Sequence, residues 1–167
     1  MNMNTLNPVK ALAFLLQFCQ DNHLSLSVAE SVTGGRVSSA LTALPGSSMV
    51  FKEGVICYSP ESKKSRLHIK NEIIQEFGLV SSEITLIMAQ EVRKSLKVDI
   101  GIATTGNAGP EANDIFAKVG QVFMAFSSKN KDIVIPRFYE GTRDRIQKII
   151  TQDVIRYLYC FLLELKL

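Results

Sequence analysis

The chain has 167 residues, 46% of them hydrophobic, which suits one compact domain with one core and leaves no room for a second catalytic domain. Nineteen Lys and Arg against sixteen Asp and Glu give a net charge of +3, and the basic residues are scattered rather than gathered in a stripe, which disfavours nucleic-acid binding. Apolar runs fall far below the roughly 20 residues of a membrane span, 1–7 is a polar tail without a basic leader, and Cys19, Cys57 and Cys160 are odd in number and far apart, so the expectation is a cytoplasmic, membrane-free protein with a flexible tail and buried, reduced thiols.

Asn7 can cap and Pro8 can open a first helix, on which Val9, Leu12, Leu15, Leu16 and Cys19 recur at helical spacing to about Gln20. Leu24, Leu26 and Val28 alternate with Ser25 and Ser27, the period of a strand, and stop at a polar loop, Glu30-Ser31-Val32-Thr33-Gly34-Gly35. From Arg36, the positions Val37, Ala40, Leu41 and Leu44 restore helical spacing until Pro45-Gly46-Ser47-Ser48 ends it. Val50 to Tyr58 reads as a strand interrupted by Gly54, Pro60 opens a polar helical turn through Leu67, and a short helix over 72–77 stops at Gly78. Ser81 and Ser82 can cap the clearest amphipathic helix, whose mostly apolar face carries Ile84, Ile87, Met88, Glu91, Val92 and Leu96. Ile100-Gly101-Ile102-Ala103-Thr104 is a short buried strand that runs into a second glycine loop, Thr105-Gly106-Asn107-Ala108-Gly109-Pro110. Residues 119–126 and 132–138 read as a hairpin around the turn 127–131, and a long helix from about Thr142 carries Ile146, Ile149, Ile150, Val154, Ile155, Leu158 and Leu162.

Strands alternating with covering helices, plus one antiparallel hairpin, predict an α/β protein: a three-layer α/β/α sandwich with a mixed sheet, in a single domain over 1–167. Both glycine loops then lie at strand ends, where ligands bind in open α/β sheets.

Only two histidines occur, His23 and His68, and neither has partners at metal-ligand spacing, so no metal is expected. A Ser-His-Asp triad would have to recruit His23, which closes a helix, or His68, in a polar connection. The dinucleotide and triphosphate glycine motifs are absent. In the first glycine loop the free amides of a strand-to-helix turn can hold a phosphate or an oxyanion, with Ser31 at the mouth as nucleophile; equally, Ser31 or Thr33 can simply cap the helix. A serine without histidine needs a lysine kept neutral by burial, and Lys63 and Lys64 are the candidates, each also readable as a solvated helical lysine. Tyr58 can stack on a ring or pack within a strand. The second loop offers a hydroxyl, an amide side chain and backbone N–H groups, and turn chemistry accounts for the same residues. Arg143 and Arg145 can pair with a phosphate or form a solvated helix face.

Ala29-Glu30-Ser31-Val32-Thr33-Gly34-Gly35, then Pro45-Gly46-Ser47-Ser48, Gly54-Val55, Tyr58-Ser59-x-x-x-Lys63, Val80-Ser81 and Thr105-Gly106-x-Ala108-Gly109-Pro110 resemble, in order and spacing, the successive motifs of the CinA C-terminal domain family. The resemblance covers nearly the whole chain from about Pro8. It implies an α/β/α sandwich and a cofactor-free, metal-free serine amidohydrolase that converts nicotinamide mononucleotide to nicotinic acid mononucleotide and ammonia through a Ser-Lys dyad. By position, Ser31 resembles the nucleophile and Lys63 the base. Thr33, Gly34 and Gly35 would supply loop amides for the oxyanion or phosphate, and Tyr58, Thr105, Gly106, Asn107, Ala108 and Gly109 the walls around pyridine and ribose. Arg143 resembles the arginine of a Phe-x-Gly-x-Arg stretch, here Phe138-Tyr139-Glu140-Gly141-Thr142-Arg143 with one extra residue. The resemblance further implies a homo-oligomer whose partner molecule is a small nucleotide. Longer family members carry an additional amino-terminal domain, and the expectation is that this chain, beginning at the amidase-like helix, lacks that domain's activity.

The sequence departs from the family pattern at Val32, where Cys is common, and at Gln147, where a second arginine often stands. After Pro110 a glycine-rich stretch is replaced by Glu111-Ala112-Asn113-Asp114-Ile115-Phe116-Ala117-Lys118. Fewer glycines, one cation less and two added carboxylates are expected to weaken binding of an anionic substrate. The alternatives to the nucleotide amidase are therefore a weak or inactive member that binds a nucleotide or a partner for regulation, and an amidase for another small amide.

Overall fold

A computed structural model describes residues 7–111 and 116–165; residues 1–6 of the tail expected over 1–7 and the four residues 112–115 of the altered segment lie outside the described residues, while Asn7 itself caps the first helix. Helix α1 (Pro8–Asp21) starts where the Asn7 side chain accepts the Val9 and Lys10 amides, and it buries Ala11, Leu12, Leu15, Leu16 and Cys19. There follow β1 (Leu26–Glu30), α2 (Arg36–Thr42), α3 (Ser47–Val50), β2 (Phe51–Ile56), α4 (Pro60–Leu67), α5 (Asn71–Phe77) and α6 (Ser82–Ser95). The chain closes with β3 (Ile100–Gly106), β4 (Gln121–Ser127), β5 (Asp132–Phe138) and α7 (Arg143–Glu164).

The five strands form one mixed sheet in the order β2-β1-β3-β4-β5. Strand β1 pairs in parallel with β2 and β3, while β3, β4 and β5 pair antiparallel, the last two as the expected hairpin. Helices α1, α2, α3 and α7 cover one face, where Leu26, Val28, Ile100, Ile102, Val122, Met124 and Phe126 meet Leu15, Leu41, Ile150 and Leu158. Helix α6 covers the other, with α4 and α5 against it, and there the sheet presents Ala29, Ala103 and Ala125 to Ile84, Met88 and Ala89. The small residues let α6 lie close: a Cβ on Gly101 would run into the Ala89 carbonyl oxygen. The result is the three-layer α/β/α sandwich.

Leu24, Leu26 and Val28 alternate with Ser25 and Ser27 at the period of a strand, and β1 is buried on both faces, because the serine side of a central strand lies under α6. Ser27 Oγ is the one fully enclosed side-chain polar atom without a partner among the described residues. Helix α3 occupies the segment expected to end a helix, and Leu96, placed on the apolar face, caps the end of α6 and is exposed. Cys160, expected to be a buried thiol, is only half-buried, whereas Cys19 and Cys57 are buried. Among the described residues no helix is long and apolar enough to cross a membrane.

Candidate active site

Strand β1 ends one residue later than its apolar pattern does, at Glu30, and this carboxylate organises the glycine turn and the start of α2. Glu30 is fully buried. Its Oε2 accepts from the amides of Gly35 (2.9 Å) and Val37 (3.1 Å), and its Oε1 from the amide (2.7 Å) and hydroxyl (2.6 Å) of Ser38. The N-cap of α2, Gly35, has no side chain to cap the helix, so the carboxylate takes the orphan amides of the first turn and sits at the positive end of the helix. Between the two, residues 31–34 form a tight turn in which Gly34 (φ +58°) and Gly35 (φ +96°) take left-handed backbone that favours glycine. In the sequence Glu30 reads as a polar loop residue; its legible signal is an acid placed between a strand and a glycine pair that opens a helix.

The turn carries Ser31 at the carboxyl end of β1. The Ser31 amide donates to Thr104 O (3.0 Å) on β3, and the Cys57 amide donates to Glu30 O (2.7 Å), so both flanking strands hold the nucleophile candidate in register. Beyond Cys57, Ser59 and Ser62 form a reciprocal capping box that starts α4, and Lys63 follows in its first turn. The Lys63 side chain runs back under the strand ends with 1% of its surface exposed. Its Nζ donates to Cys57 O (2.7 Å), lies 3.0 Å from Ser31 Oγ, and makes a longer bond to Tyr58 O (3.4 Å). Burial lowers its pKa from 10.5 to about 8, with Cys57 pulling weakly the other way. Of the two lysines the sequence offers, it is Lys63 that reaches Ser31.

A cavity of about 90 Å³ opens over this pair, lined by Ser31, Val32, Tyr58, Lys63, Leu79, Val80, Gly106, Asn107, Ala108 and Arg143. Seven residues singled out from the sequence thus converge: Ser31, Lys63, Tyr58, Gly106, Asn107, Ala108 and Arg143. Tyr58 and Arg143 are exposed at its rim. The other five do not line it. Thr33 and Thr105 lie buried with their hydroxyls committed inside the protein, Thr33 to Thr104 (2.8 Å) and Thr105 to Thr85 (2.7 Å). Thr105 and Gly106 also belong to β3, not to a loop. Gly109, at φ +77°, is buried and shapes the second loop.

Gly34 and Gly35 open instead, with Thr33, onto a separate groove between α2 and α7. Their amides are already used, Gly34 N by Ser31 O (3.3 Å) and Gly35 N by Glu30, so the expectation that they serve an oxyanion is corrected. The amides of Val32 and Thr33 make no hydrogen bond to another described residue. Gln147 on α7 donates from Nε2 to Val32 O (2.8 Å) and accepts from Arg36 Nε (3.3 Å), and Arg36 pairs with Asp144 (3.0 Å). Because the peptide is planar and trans, holding Val32 O toward α7 turns the Thr33 N–H away from it. No reactive chemistry in the sequence marks Leu79, Val32 or Gln147 as a site residue. Of the added carboxylates, Glu111 is exposed and Asp114 lies outside the described residues. Among the described residues no group of three His, Cys, Asp or Glu side chains is placed to hold a metal ion.

A buried amine beside a serine hydroxyl, at a strand end with unpaired amides next to it, is an arrangement suited to acyl transfer. A family model for the CinA C-terminal domain matches residues 10–162. A protein of Clostridioides difficile that carries a competence-damage inducible name is 44% identical over 138 residues, 83% of this chain and 33% of its own length. A CinA-like protein of Flavobacterium psychrophilum is 43% identical over 108 residues, 65% of this chain and 26% of its own. The chain therefore spans about a third or less of the length of these relatives. The solved structure of a competence or damage-inducible protein from Enterobacter asburiae matches with a TM-score of 0.90 at 26% identity, covering 95% of this chain and 99% of that one. Taken with the sandwich and the order of the motifs, these matches show that the chain belongs to the CinA C-terminal domain family.

Proposed function

We propose that the chain is a serine amidohydrolase that converts nicotinamide mononucleotide to nicotinic acid mononucleotide and ammonia, with Ser31 as nucleophile and Lys63 as general base. The observation that carries the reading is the 3.0 Å approach of Lys63 Nζ to Ser31 Oγ, with the lysine buried and its pKa at about 8. A lysine at its ordinary 10.5 would be neutral in about one molecule in three thousand at pH 7; at about 8 the neutral fraction is about a tenth. The choice of substrate rests on the family resemblance.

In the proposed reaction neutral Lys63 takes the Ser31 proton as Oγ bonds to the carboxamide carbon. Negative charge develops on the carboxamide oxygen, for which the free amide of Val32, a residue that lines the cavity, is the available donor. Lys63 then passes its proton to the nitrogen, the C–N bond breaks and ammonia leaves. Water, deprotonated by Lys63, attacks the acyl-enzyme; the acid is released and the proton returns to Ser31. A cavity of about 90 Å³ is small beside the roughly 300–1,000 Å³ of typical ligand pockets. It suits the reacting carboxamide end, with sugar and phosphate lying over the rim beside the exposed Tyr58 ring and the Arg143 guanidinium.

The test is ammonia release from nicotinamide mononucleotide by wild type and by Ser31→Ala. Release that falls by several orders of magnitude in the variant supports the reading, because nucleophile and base act as a unit. Release that survives the substitution, or none from wild type, overturns it.

A further inference from the structure

Asn107 is the first residue past β3, and of its polar atoms only the side-chain oxygen has no partner among the described residues. Its backbone N–H donates to Gln121 O (2.9 Å) and its carbonyl accepts from the Gly120 amide (2.7 Å). Its side-chain Nδ2 donates to Ala117 O (2.8 Å). A backbone carbonyl can only accept, so this bond decides which end of the amide is which and leaves Oδ1 as the free end. The residue is 7% exposed and lines the cavity over Ser31 and Lys63. Oδ1 accepts no hydrogen bond from any described residue, and it is not among the sealed, unpartnered polar atoms, a class that among the described residues holds only Ser27 Oγ. The opening that the residue lines is the cavity.

We infer that Asn107 is the specificity-determining residue for the leaving group, its Oδ1 accepting a hydrogen bond from the N–H2 of a primary carboxamide held over Ser31. The inference rests on the amidohydrolase reading and deepens it. A primary amide supplies two N–H donors to a rigid, buried acceptor that otherwise has none. An ester supplies no donor. The carboxylate product sets a negative oxygen against the carbonyl-type oxygen, which favours release of the acid once it forms. Ser31 Oγ and Lys63 Nζ bond to one another, and Tyr58 and Arg143 stand exposed at the rim, so Asn107 Oδ1 is the buried side-chain acceptor the lining offers.

The test compares kcat/KM, which reports formation of the acyl-enzyme, for nicotinamide mononucleotide and for the methyl ester of nicotinic acid mononucleotide, with wild type and with Asn107→Leu. The ratio within one protein cancels any loss of folded enzyme or of loop order. The expected result is that the amide-to-ester ratio falls about tenfold or more in the variant, since sites built to bond an N–H discriminate strongly against analogues that lack it. Inhibition by nicotinic acid mononucleotide should strengthen in the same variant. An unchanged ratio with an active wild type overturns the role of Asn107 alone. A wild type that hydrolyses neither compound overturns the amidohydrolase reading, and this inference with it.

Discussion

Lys63→Met tests the buried base without any substrate. The Lys63 ammonium is sealed beneath the strand ends, and burial brings its pKa from 10.5 to about 8. In the unfolded chain the same group keeps its ordinary value. Between the two, the unfolded chain holds a proton that the folded protein has released, so unfolding takes up a proton and stability rises with pH. This is the reverse of a salt-bridged lysine, whose contribution is lost as pH rises. The full gain across the window from about pH 8 to 10.5 is about 3 kcal/mol, of which about 2–3 kcal/mol is in place by pH 10. Methionine keeps the length and removes the charge, and the other titrating groups are common to both proteins, so they largely cancel in the difference. Burial also pushes the neighbouring Cys57 thiol up from its ordinary value. Urea unfolding of both proteins at a series of pH values from about 7 to about 10 should show wild type gaining about 2–3 kcal/mol on the variant. A difference that stays flat within about 0.5 kcal/mol refutes the reasoning, because the lysine would then be as readily charged in the fold as out of it.

The same pKa sets the rate: kcat/KM for ammonia release should climb about tenfold per pH unit below about pH 8 and level off above it, and a profile flat from about pH 6 to 9 contradicts a neutral-lysine base. Glu30→Gln replaces two accepting oxygens by one oxygen and an NH2 that faces amide donors. It should cost about 2–4 kcal/mol in denaturant unfolding, and a cost under about 1 kcal/mol means that the α2 amides find other acceptors. Gln147→Leu removes the donor to Val32 O and should lower kcat about tenfold while leaving KM within about twofold; an effect on KM alone assigns Gln147 to substrate binding instead. Gly101→Ala pushes a methyl group into the Ala89 carbonyl and should destabilise by about 1–3 kcal/mol or more, read by thermal unfolding; a neutral outcome means that α6 packs less closely.

Local signals made most of the fold legible. Asn7 and Pro8 mark the start of α1 because capping depends on neighbours in the chain, and the hairpin strand over 132–138 is bounded by its own turn chemistry. The glycine turn after β1 offered Ser31 as a nucleophile or a cap and left Lys63 and Lys64 both open, and the family resemblance chose Lys63. Neighbours in sequence do not report who lies alongside in space. Ser27 of β1 lies covered by α6, and Thr33 and Thr105 read as ligand groups until Thr104 and Thr85 take their hydroxyls.

By itself, then, the sequence determined most of the elements, α3 excepted, their order and the residue types able to do acyl chemistry, because hydrophobic period and turn preference are properties of the local chain. Only the tertiary structure decided that Lys63, 32 positions from Ser31, is buried against it, that Glu30 anchors the turn, and that Asn107 lines the cavity with its amide nitrogen committed to Ala117 O. Each of these depends on burial and hydrogen-bond partners brought together through space, and the charge state and free valence of a side chain follow from those partners rather than from its place in the sequence.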